Sequence, residues 1–476
     1  MSYKLLRFKS SLQMFFYRHK HKIIAITASV VLIAVIVFAI IPPVVREAQY
    51  RAEERREINR FKNLSIAEFI YDFDYLMHVL EENWPFFNLS ISANGVDVHE
   101  LADNVRSILH DPAQEPEDPF AFLEMLREEF FNPINQLGHL SPIPGHEYFF
   151  GLQEYIARRW SPQNPCRWTA FLREITLQPE TIMFYTMQRE ADEAAGVPEA
   201  EEPERPPVLE VSIIEEGRTA MLRMNRMIHF WDDIPVPNRL RGYYRDMMHE
   251  FYGAIGDFEH LILDFRGNRG GVLPFFDVFV MGQLLHETIA LPGYVLYTGG
   301  AYSARAREVF DTRFVGFIYD VPAEPAVLDK PLPYLDTSID FQYFYVPFYG
   351  LASVREMYEH GGWGFLENEV AFNGKIWLLT SGDTASAAEA AVAIIKYNNI
   401  AAVVGEATRG MMGVTYIATR TNLILPNTGI FLYFDVSYFV DPYGRPLQGY
   451  GIMPHYPNRP GMDALETVLA MIEENW

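Results

Sequence analysis

The decisive stretch of this sequence runs from residue 375 to residue 399 and reads KIWLLTSGDTASAAEAAVAIIKYNN. The apolar residues 375–380 predict a buried strand, and the alanine-rich residues 385–397 predict a helix that follows a tight turn. Ser386 is therefore expected at the amino terminus of a helix. Unpaired backbone N–H groups and the positive end of the helix dipole stabilise an oxyanion there, so the position suits a nucleophile.

Ser386 also has a purely structural interpretation, as part of an ordinary helix start. Asp383 or Thr384 would cap the helix, and the small residues Ala387 and Ala388 would only allow close packing. This segment alone leaves both interpretations open.

A second stretch, residues 260–272, reads HLILDFRGNRGGV. It predicts a buried strand that ends in a glycine-rich turn. Gly270 and Gly271 lack side chains, so their backbone N–H groups can approach a bound ligand closely. Taken by itself, the stretch equally fits a tight turn between a strand and a helix.

The sequence around these two stretches alternates between strand and helix patterns. Strands are predicted at residues 209–214, 219–224, 260–265, 375–380 and 401–404, helices at 236–255, 274–285 and 385–397, and further β structure at 415–440. The alternation predicts an α/β body with a mostly parallel sheet over residues 208–476. Apolar residues at helical spacing predict an N-terminal helical domain over residues 64–150, and residues 151–207 are interpreted as an insertion and acidic linker.

The N-terminal region predicts a membrane anchor. Residues 23–45 carry no charge, and such a run spans the roughly 30 Å of a bilayer core as a helix. Six basic and no acidic residues precede it, which predicts a cytoplasmic tail at residues 1–22 and an extracytoplasmic body after a charged juxtamembrane linker at residues 46–63. The expected location is therefore the cell membrane, as a single-pass protein. A cleaved signal peptide is the alternative.

Charge and cysteine content exclude several classes of protein. Removing the six basic tail residues from the 39 in the chain leaves 33 against 62 acidic residues, a net charge of −29. Nucleic acid is therefore not an expected partner, because its phosphates would be repelled. The lone Cys166 cannot form an intrachain disulfide, and no Cys/His spacing indicates structural zinc. No metal or organic cofactor is implied by the sequence.

Together, the motifs LILDFRGNRGG, SGDTASAAE and VVGEATRG resemble the C-terminal processing peptidase and tricorn protease core family of serine peptidases. The resemblance implies a crotonase-like α/β spiral, related to the ClpP fold, and a peptide or protein substrate. It also implies that Ser386 is the nucleophile, with the N–H of Ala387 and of Gly270 or Gly271 forming the oxyanion hole.

The base that activates Ser386 has two candidates within this family. One branch uses a lysine after the GE motif, but the matching position here is Met411, and the guanidinium of Arg409 does not release its proton in proteins. The serine–lysine pair is therefore excluded. The tricorn-like branch uses a histidine, and the segment INQLGHLSP places His139 at the matching position, where a neutral imidazole is a suitable base.

A final motif, LQGYGIMPH, departs from the family pattern. Gln448 replaces a glutamate and His455 replaces an aspartate. Gln448 is predicted to position His139, although an amide supplies no negative charge, and no other orienting carboxylate is located from the sequence. Glu389 and Glu406 lie inside matched motifs and are interpreted as structural.

The sequence therefore predicts a membrane-anchored, extracytoplasmic serine peptidase without an evident PDZ domain. Two alternatives remain open. The altered positions Met411, Gln448 and His455 also fit a catalytically impaired peptide-binding or sensor protein, and related folds act on thioesters.

Overall fold

The structure is a computed structural model. It describes residues 56–135, 137–145, 148–149, 176–195, 207–228, 239–271, 273–276, 279–280, 294–305, 342–345, 372–412 and 420–476. The predicted tail and membrane span, most of the juxtamembrane linker, and Cys166 lie outside these ranges. Within them, every helix is too short or too polar to span a bilayer.

The chain divides into two compact units, Met1–Leu64 and Ser65–Trp476. In the first unit, residues 56–62 are helical. The described helices of the second unit are α1 (Ile66–Asn83), α2 (Val98–Leu109), α3 (Pro119–Leu126), α4 (Pro179–Ala194), α5 (Arg239–Ile255), α6 (Leu273–Phe276), α7 (Ala387–Tyr397) and α8 (Ala464–Glu473). Shorter helical turns are Phe87–Leu89, Ser90–Asn94, Arg127–Phe131, Asn132–Ile134 and Leu137–His139.

The described strands, in chain order, are β1 (Ser141–Pro142), β2 (Leu209–Glu215), β3 (Thr219–Met224), β4 (His260–Asp264), β5 (Tyr294–Tyr297), β6 (Gln342–Tyr345), β7 (Lys375–Thr380), β8 (Ala402–Gly405), β9 (Arg420–Ile424), β10 (Phe431–Asp435), β11 (Ser437–Val440) and β12 (Tyr456–Pro457). They form three sheets, with the orders β12-β8-β7-β4-β3-β2, β1-β10-β9 and β11-β5-β6. The class is therefore α/β, as predicted.

The largest sheet is mostly parallel, which confirms that part of the sequence interpretation. Every neighbouring pair in it is parallel except β2 and β3, which form an antiparallel hairpin. Its central strands β4 and β7 are buried because they are covered on both faces, which explains their nearly continuous apolar sequence. Both strands end at the glycine-rich and serine-bearing turns quoted above.

Helix α7 is buried on all sides, whereas helix α8 buries only one face. From Ala387 to Ile395 every residue of α7 is buried, which explains why this helix is alanine-rich on all sides rather than amphipathic. Helix α8 packs one face on the sheet, where Val468 and Ile472 join a cluster that includes Trp377 and Ile262. Burial of each such large side chain contributes about 1.5–3 kcal/mol.

The N-terminal helices contact the C-terminal strands directly. Strand β1 pairs antiparallel with β10, with Ser141 opposite Tyr433. Asp72 of α1 is fully buried and accepts hydrogen bonds from the backbone and side chain of both Asn427 and Thr428, in the turn between β9 and β10. The carboxylate thereby fixes the hairpin that contains β10. The predicted division into domains at residues 150 and 207 stays a prediction.

Candidate active site

Ser386 lies in the last position before α7 in an unusual backbone conformation. Its φ is 55° and its ψ is −123°, a region that residues with a side chain seldom adopt. Such a conformation costs on the order of 1–3 kcal/mol and persists only where the surroundings impose it. The sequence predicted the helix from Ala385, but it begins at Ala387, because residues 385 and 386 form the bend into it.

Hydrogen bonds on both sides impose this conformation. The N–H of Ala385 donates to the carbonyl of Asn268 at 2.9 Å, and the N–H of Ser386 donates to Oε2 of Glu389 at 3.0 Å. Thr384 is fixed as well, since its hydroxyl donates to the carbonyl of Phe265 at 2.9 Å. The serine is thus held between the end of β4 and the first turn of α7.

The two glycines of the GG pair have different environments. A β-carbon on Gly270 would lie 2.7 Å from the nitrogen of Ala387 and 2.9 Å from Cβ of Ser386. Gly271 instead packs on Met227, where a β-carbon would lie 1.6 Å from the carbonyl oxygen. The structure therefore brings Gly270 against Ser386 and Ala387, and Gly271 against Met227, three residues beyond the end of β3.

Asn268 is a buried residue of this loop that the sequence analysis did not identify. Its Oδ1 accepts from the N–H of Gly270 at 2.8 Å, and its Nδ2 donates to the carbonyl of Met224 at 2.9 Å. Because the N–H of Gly270 is engaged with Asn268, Gly271 is the member of the pair to consider as an oxyanion donor.

Glu389 links residues 381–386, the nucleophile turn that carries Ser386, to the segment that follows β8. The residue is fully buried, and its two oxygens accept from Ser386 N–H, the Thr408 hydroxyl, Gly410 N–H and Met411 N–H over 2.6–3.0 Å. Burial raises the pKa of Glu389 to about 7, opposed by these four hydrogen bonds. Glu389, which the sequence predicted to be structural, therefore connects two parts of the site through its hydrogen bonds.

His139 lies in a tight turn packed against aromatic side chains. The preceding Gly138 has φ 59°, and a β-carbon there would lie 2.5 Å from the ring of Phe86 and 2.7 Å from Nε1 of Trp84. His139 itself has φ 51°, in the left-handed region. Only glycine fits at residue 138, so packing against these rings places His139.

The imidazole of His139 contacts a carboxylate. Its Nδ1 lies 2.6 Å from Oδ2 of Asp435, at the end of β10, and the two side chains are 11% and 1% exposed. Nε2 of His139 is buried and has no hydrogen-bond partner among the described residues. Since an ionised carboxylate only accepts, the proton belongs on Nδ1, and Nε2 has a free lone pair.

Gln448 contacts Asp435 rather than His139 among the described hydrogen bonds. Its Nε2 donates to Oδ2 of Asp435 at 3.3 Å and to the carbonyl of Met412 at 3.0 Å. Met412 adjoins Met411, whose N–H reaches Glu389. Contacts thus connect His139, Asp435 and Gln448 through residues 410–412 to Glu389 and Ser386.

Asp435 is the carboxylate that the sequence analysis did not locate. It was missed because it lies outside the family motifs, in the run FLYFDVSYFV of residues 431–440. The available signal was that it is the only charged residue in an otherwise apolar β-rich segment. A charge in such a segment requires a polar partner once it is buried.

The remaining altered motif positions have structural contacts. The N–H of Val403 donates to Nδ1 of His455 at 3.1 Å, and the N–H of His455 donates back to the Val403 carbonyl at 2.8 Å. Glu406 accepts from the N–H of Gly382 at 3.2 Å on the surface. Over the ranges that the structure describes, no group of acidic, histidine or cysteine side chains could hold a metal ion.

The turn that carries Ser386 also has charged surface neighbours. Asp383 lies 3.2 Å from Nη2 of Arg269 and 3.6 Å from Nη1 of Arg409. All three side chains are at least one-third exposed, so these pairs contribute little to stability.

The model of peptidase family S41 matches residues 218–457. The solved structure of mature CPAF is 15% identical, with a TM-score of 0.48, over 86% of this chain and 95% of that one. A lipoprotein from Streptococcus agalactiae is 11% identical, with a TM-score of 0.42, over 86% and 97%. The photosystem II D1 C-terminal processing protease is 15% identical, with a TM-score of 0.31, over 56% and 52%. No curated protein matches the chain significantly.

The family match covers half of the chain and includes both the glycine-rich loop and the nucleophile turn. The chain belongs to peptidase family S41 and is, at the level of that family, a serine-type peptidase. This confirms the resemblance drawn from the sequence motifs.

Proposed function

We propose that this protein is a membrane-anchored, extracytoplasmic peptidase that cleaves peptides or proteins through an acyl-enzyme on Ser386. The observation that carries the proposal is the strained conformation of Ser386 at the start of α7, directly beside Gly270. A nucleophilic serine needs backbone donors beside it, whereas an ordinary helix cap needs neither the strain nor the adjacent glycine.

In the proposed reaction, His139 acts as the base. Nε2 of His139 takes the proton of the Ser386 hydroxyl while Oγ bonds to the scissile carbonyl carbon. The imidazolium then returns that proton to the leaving amine as the C–N bond breaks. Water then attacks the ester carbonyl while His139 takes its proton, and the imidazolium returns that proton to Oγ as the ester bond breaks, which releases the acid and free Ser386.

The proposed oxyanion hole uses backbone N–H groups of Ala387 and Gly271. Ala387 is the first residue of α7, so its N–H has no acceptor within the helix. Gly270 contributes space rather than a donor, since its N–H is bonded to Asn268. One such donor is worth about 10²–10³ in rate.

The N-terminal sequence supports a membrane anchor. The uncharged residues 23–45 and the basic residues before them support a single membrane span with a cytoplasmic N-terminus. The family resemblance supports a crotonase-like spiral for the core. Extraction of cell membranes with alkaline carbonate, and protease treatment of intact cells, test the anchor and its orientation; release by carbonate, or protection of the body from external protease, contradicts them.

Peptide turnover tests the proposed activity. The purified full chain in detergent is incubated with quenched fluorescent peptides and an unfolded protein, together with Ser386→Ala and the matched control Ser381→Ala from the same turn. Turnover in the wild type and in Ser381→Ala, but not in Ser386→Ala, is expected. Turnover that persists in Ser386→Ala contradicts the assignment.

A peptide-binding or sensor role is the second candidate, favoured by Met411 and Gln448 at positions where the family motifs carry a lysine or a glutamate. Saturable peptide binding by folded wild-type protein that neither turns over peptides nor reacts with a serine-directed probe would support it.

A further inference from the structure

We propose that Asp435 is the residue that positions His139 and balances its charge. Gln448 is an uncharged residue that donates a hydrogen bond to the carboxylate of Asp435. The inference rests on the proposed function of Ser386 and His139. It assigns the orienting carboxylate to a strand outside every motif of the sequence.

The strand register places the two residues together. Strands β1 and β10 are antiparallel, with Ser141 opposite Tyr433 and Pro142 opposite Leu432. His139 lies in the turn two residues before Ser141, and Asp435 ends β10 two residues beyond Tyr433. The pairing of β1 with β10 therefore brings this turn against the end of β10, where the two side chains contact each other.

The contact has the geometry of a charge-assisted hydrogen bond. The separation of 2.6 Å between Nδ1 and Oδ2, with both side chains nearly buried, is typical of a bond that involves an ionised group. It holds the proton on Nδ1, which leaves Nε2 with the lone pair that a base requires. It also places a negative charge beside the imidazolium that forms during acyl transfer.

The amide of Gln448 suits this carboxylate better than an acid would. Gln448 is buried, and its Nε2 donates to Oδ2 of Asp435 and to the carbonyl of Met412. A glutamate here would put two carboxylates about 3 Å apart, where both do not stay ionised, and would leave the Met412 carbonyl without this donor. The loss of the motif glutamate is therefore compensated by Asp435.

Two measurements on the full chain in detergent test this inference. The first is the second-order rate of reaction with a fluorophosphonate probe between pH 5 and 9. Asp435→Asn should lower this rate by at least about 10²-fold and move the acidic limb of its pH profile to lower pH, because the imidazolium loses its counter-charge. Gln448→Glu should lower the rate by about tenfold or more. The matched control Asp441→Asn changes another buried aspartate, which contacts Arg445, and should leave the pH profile unchanged.

The second measurement does not depend on Ser386 being the nucleophile. The proton NMR spectrum of histidine-labelled protein should contain a downfield imidazole N–H resonance that is lost in His139→Ala and Asp435→Asn and kept in Ser386→Ala. Its absence from folded wild type, or a wild-type rate and pH profile in folded Asp435→Asn, would overturn the inference. If the folded wild type does not react with the probe, the proposed function fails. The role of Asp435 is then judged from the NMR spectrum alone.

Discussion

Gly270 and Ser386 approach each other so closely that a β-carbon on Gly270 would lie 2.9 Å from Cβ of the serine. The same β-carbon would lie 2.7 Å from the carbonyl oxygen of Ala385 and from the nitrogen of Ala387. A side chain at residue 270 must therefore displace the nucleophile turn or the first N–H of α7.

Gly270→Ala should lower kcat/KM for peptide cleavage by at least about 10²-fold, because the methyl group displaces an oxyanion donor. Gly267→Ala is the matched control, since Gly267 also has positive φ, 76°, in the same loop but has nothing within 4 Å of the β-carbon position. It should change stability by about 1 kcal/mol and leave activity within about twofold. Equal losses of activity in the two variants would contradict the assigned role of this contact.

Glu389 should make stability depend on pH. Burial raises its pKa from the ordinary 4.5 to about 7, so the native protein holds this proton more tightly than the unfolded chain. The stability that this proton contributes is fully present below about pH 4.5 and is lost as the pH rises through about 7. The loss should amount to at most about 3 kcal/mol in the free energy of unfolding, measured by denaturant titration at several pH values.

Glu389→Gln should flatten this dependence and should also destabilise the protein at every pH, because an amide N–H₂ would face two of the four donors. Glu406→Gln changes an exposed glutamate in the motif VVGEATRG and should leave the pH dependence of the free energy of unfolding as in the wild type. The prediction is wrong if Glu389→Gln and wild type show the same slope.

Asp72→Asn should destabilise the protein by about 2 kcal/mol, because one buried N–H of the β9–β10 turn loses its acceptor. Asp74→Asn, on the exposed side of α1, loses only a surface pair with Arg106 and should cost less than about 1 kcal/mol. Denaturation midpoints of both variants measure the difference. A loss in Asp72→Asn no larger than in Asp74→Asn would show that this carboxylate does not fix the hairpin.

Several elements of the fold could be predicted because their patterns are local. Strands β3 and β7 have the predicted bounds, since short apolar runs between turn residues determine them. Helix α7 starts two residues later than predicted, because the long-range bond from Ala385 to Asn268 holds the chain out of helical geometry. A contact 117 residues away in sequence leaves no periodic signal in the helix itself.

The site was predictable only where a motif spans consecutive residues. Ser386, Gly270 and Ala387 come together because strands β4 and β7 are parallel neighbours whose ends meet at the same edge of the sheet. The link between His139 and Asp435 depends instead on the pairing of β1 with β10, 296 residues apart at this contact. Nothing in the local pattern of either segment specifies that pairing.

The most direct test of the account is covalent labelling of the full chain in detergent with a fluorophosphonate probe. The wild type, Ser386→Ala and His139→Ala are compared with the controls Ser381→Ala and His110→Ala, after circular dichroism has shown that each variant is folded. We predict that labelling is lost in Ser386→Ala, strongly reduced in His139→Ala and unchanged in both controls. Labelling that survives Ser386→Ala, or folded wild type that is not labelled at all, would contradict the account.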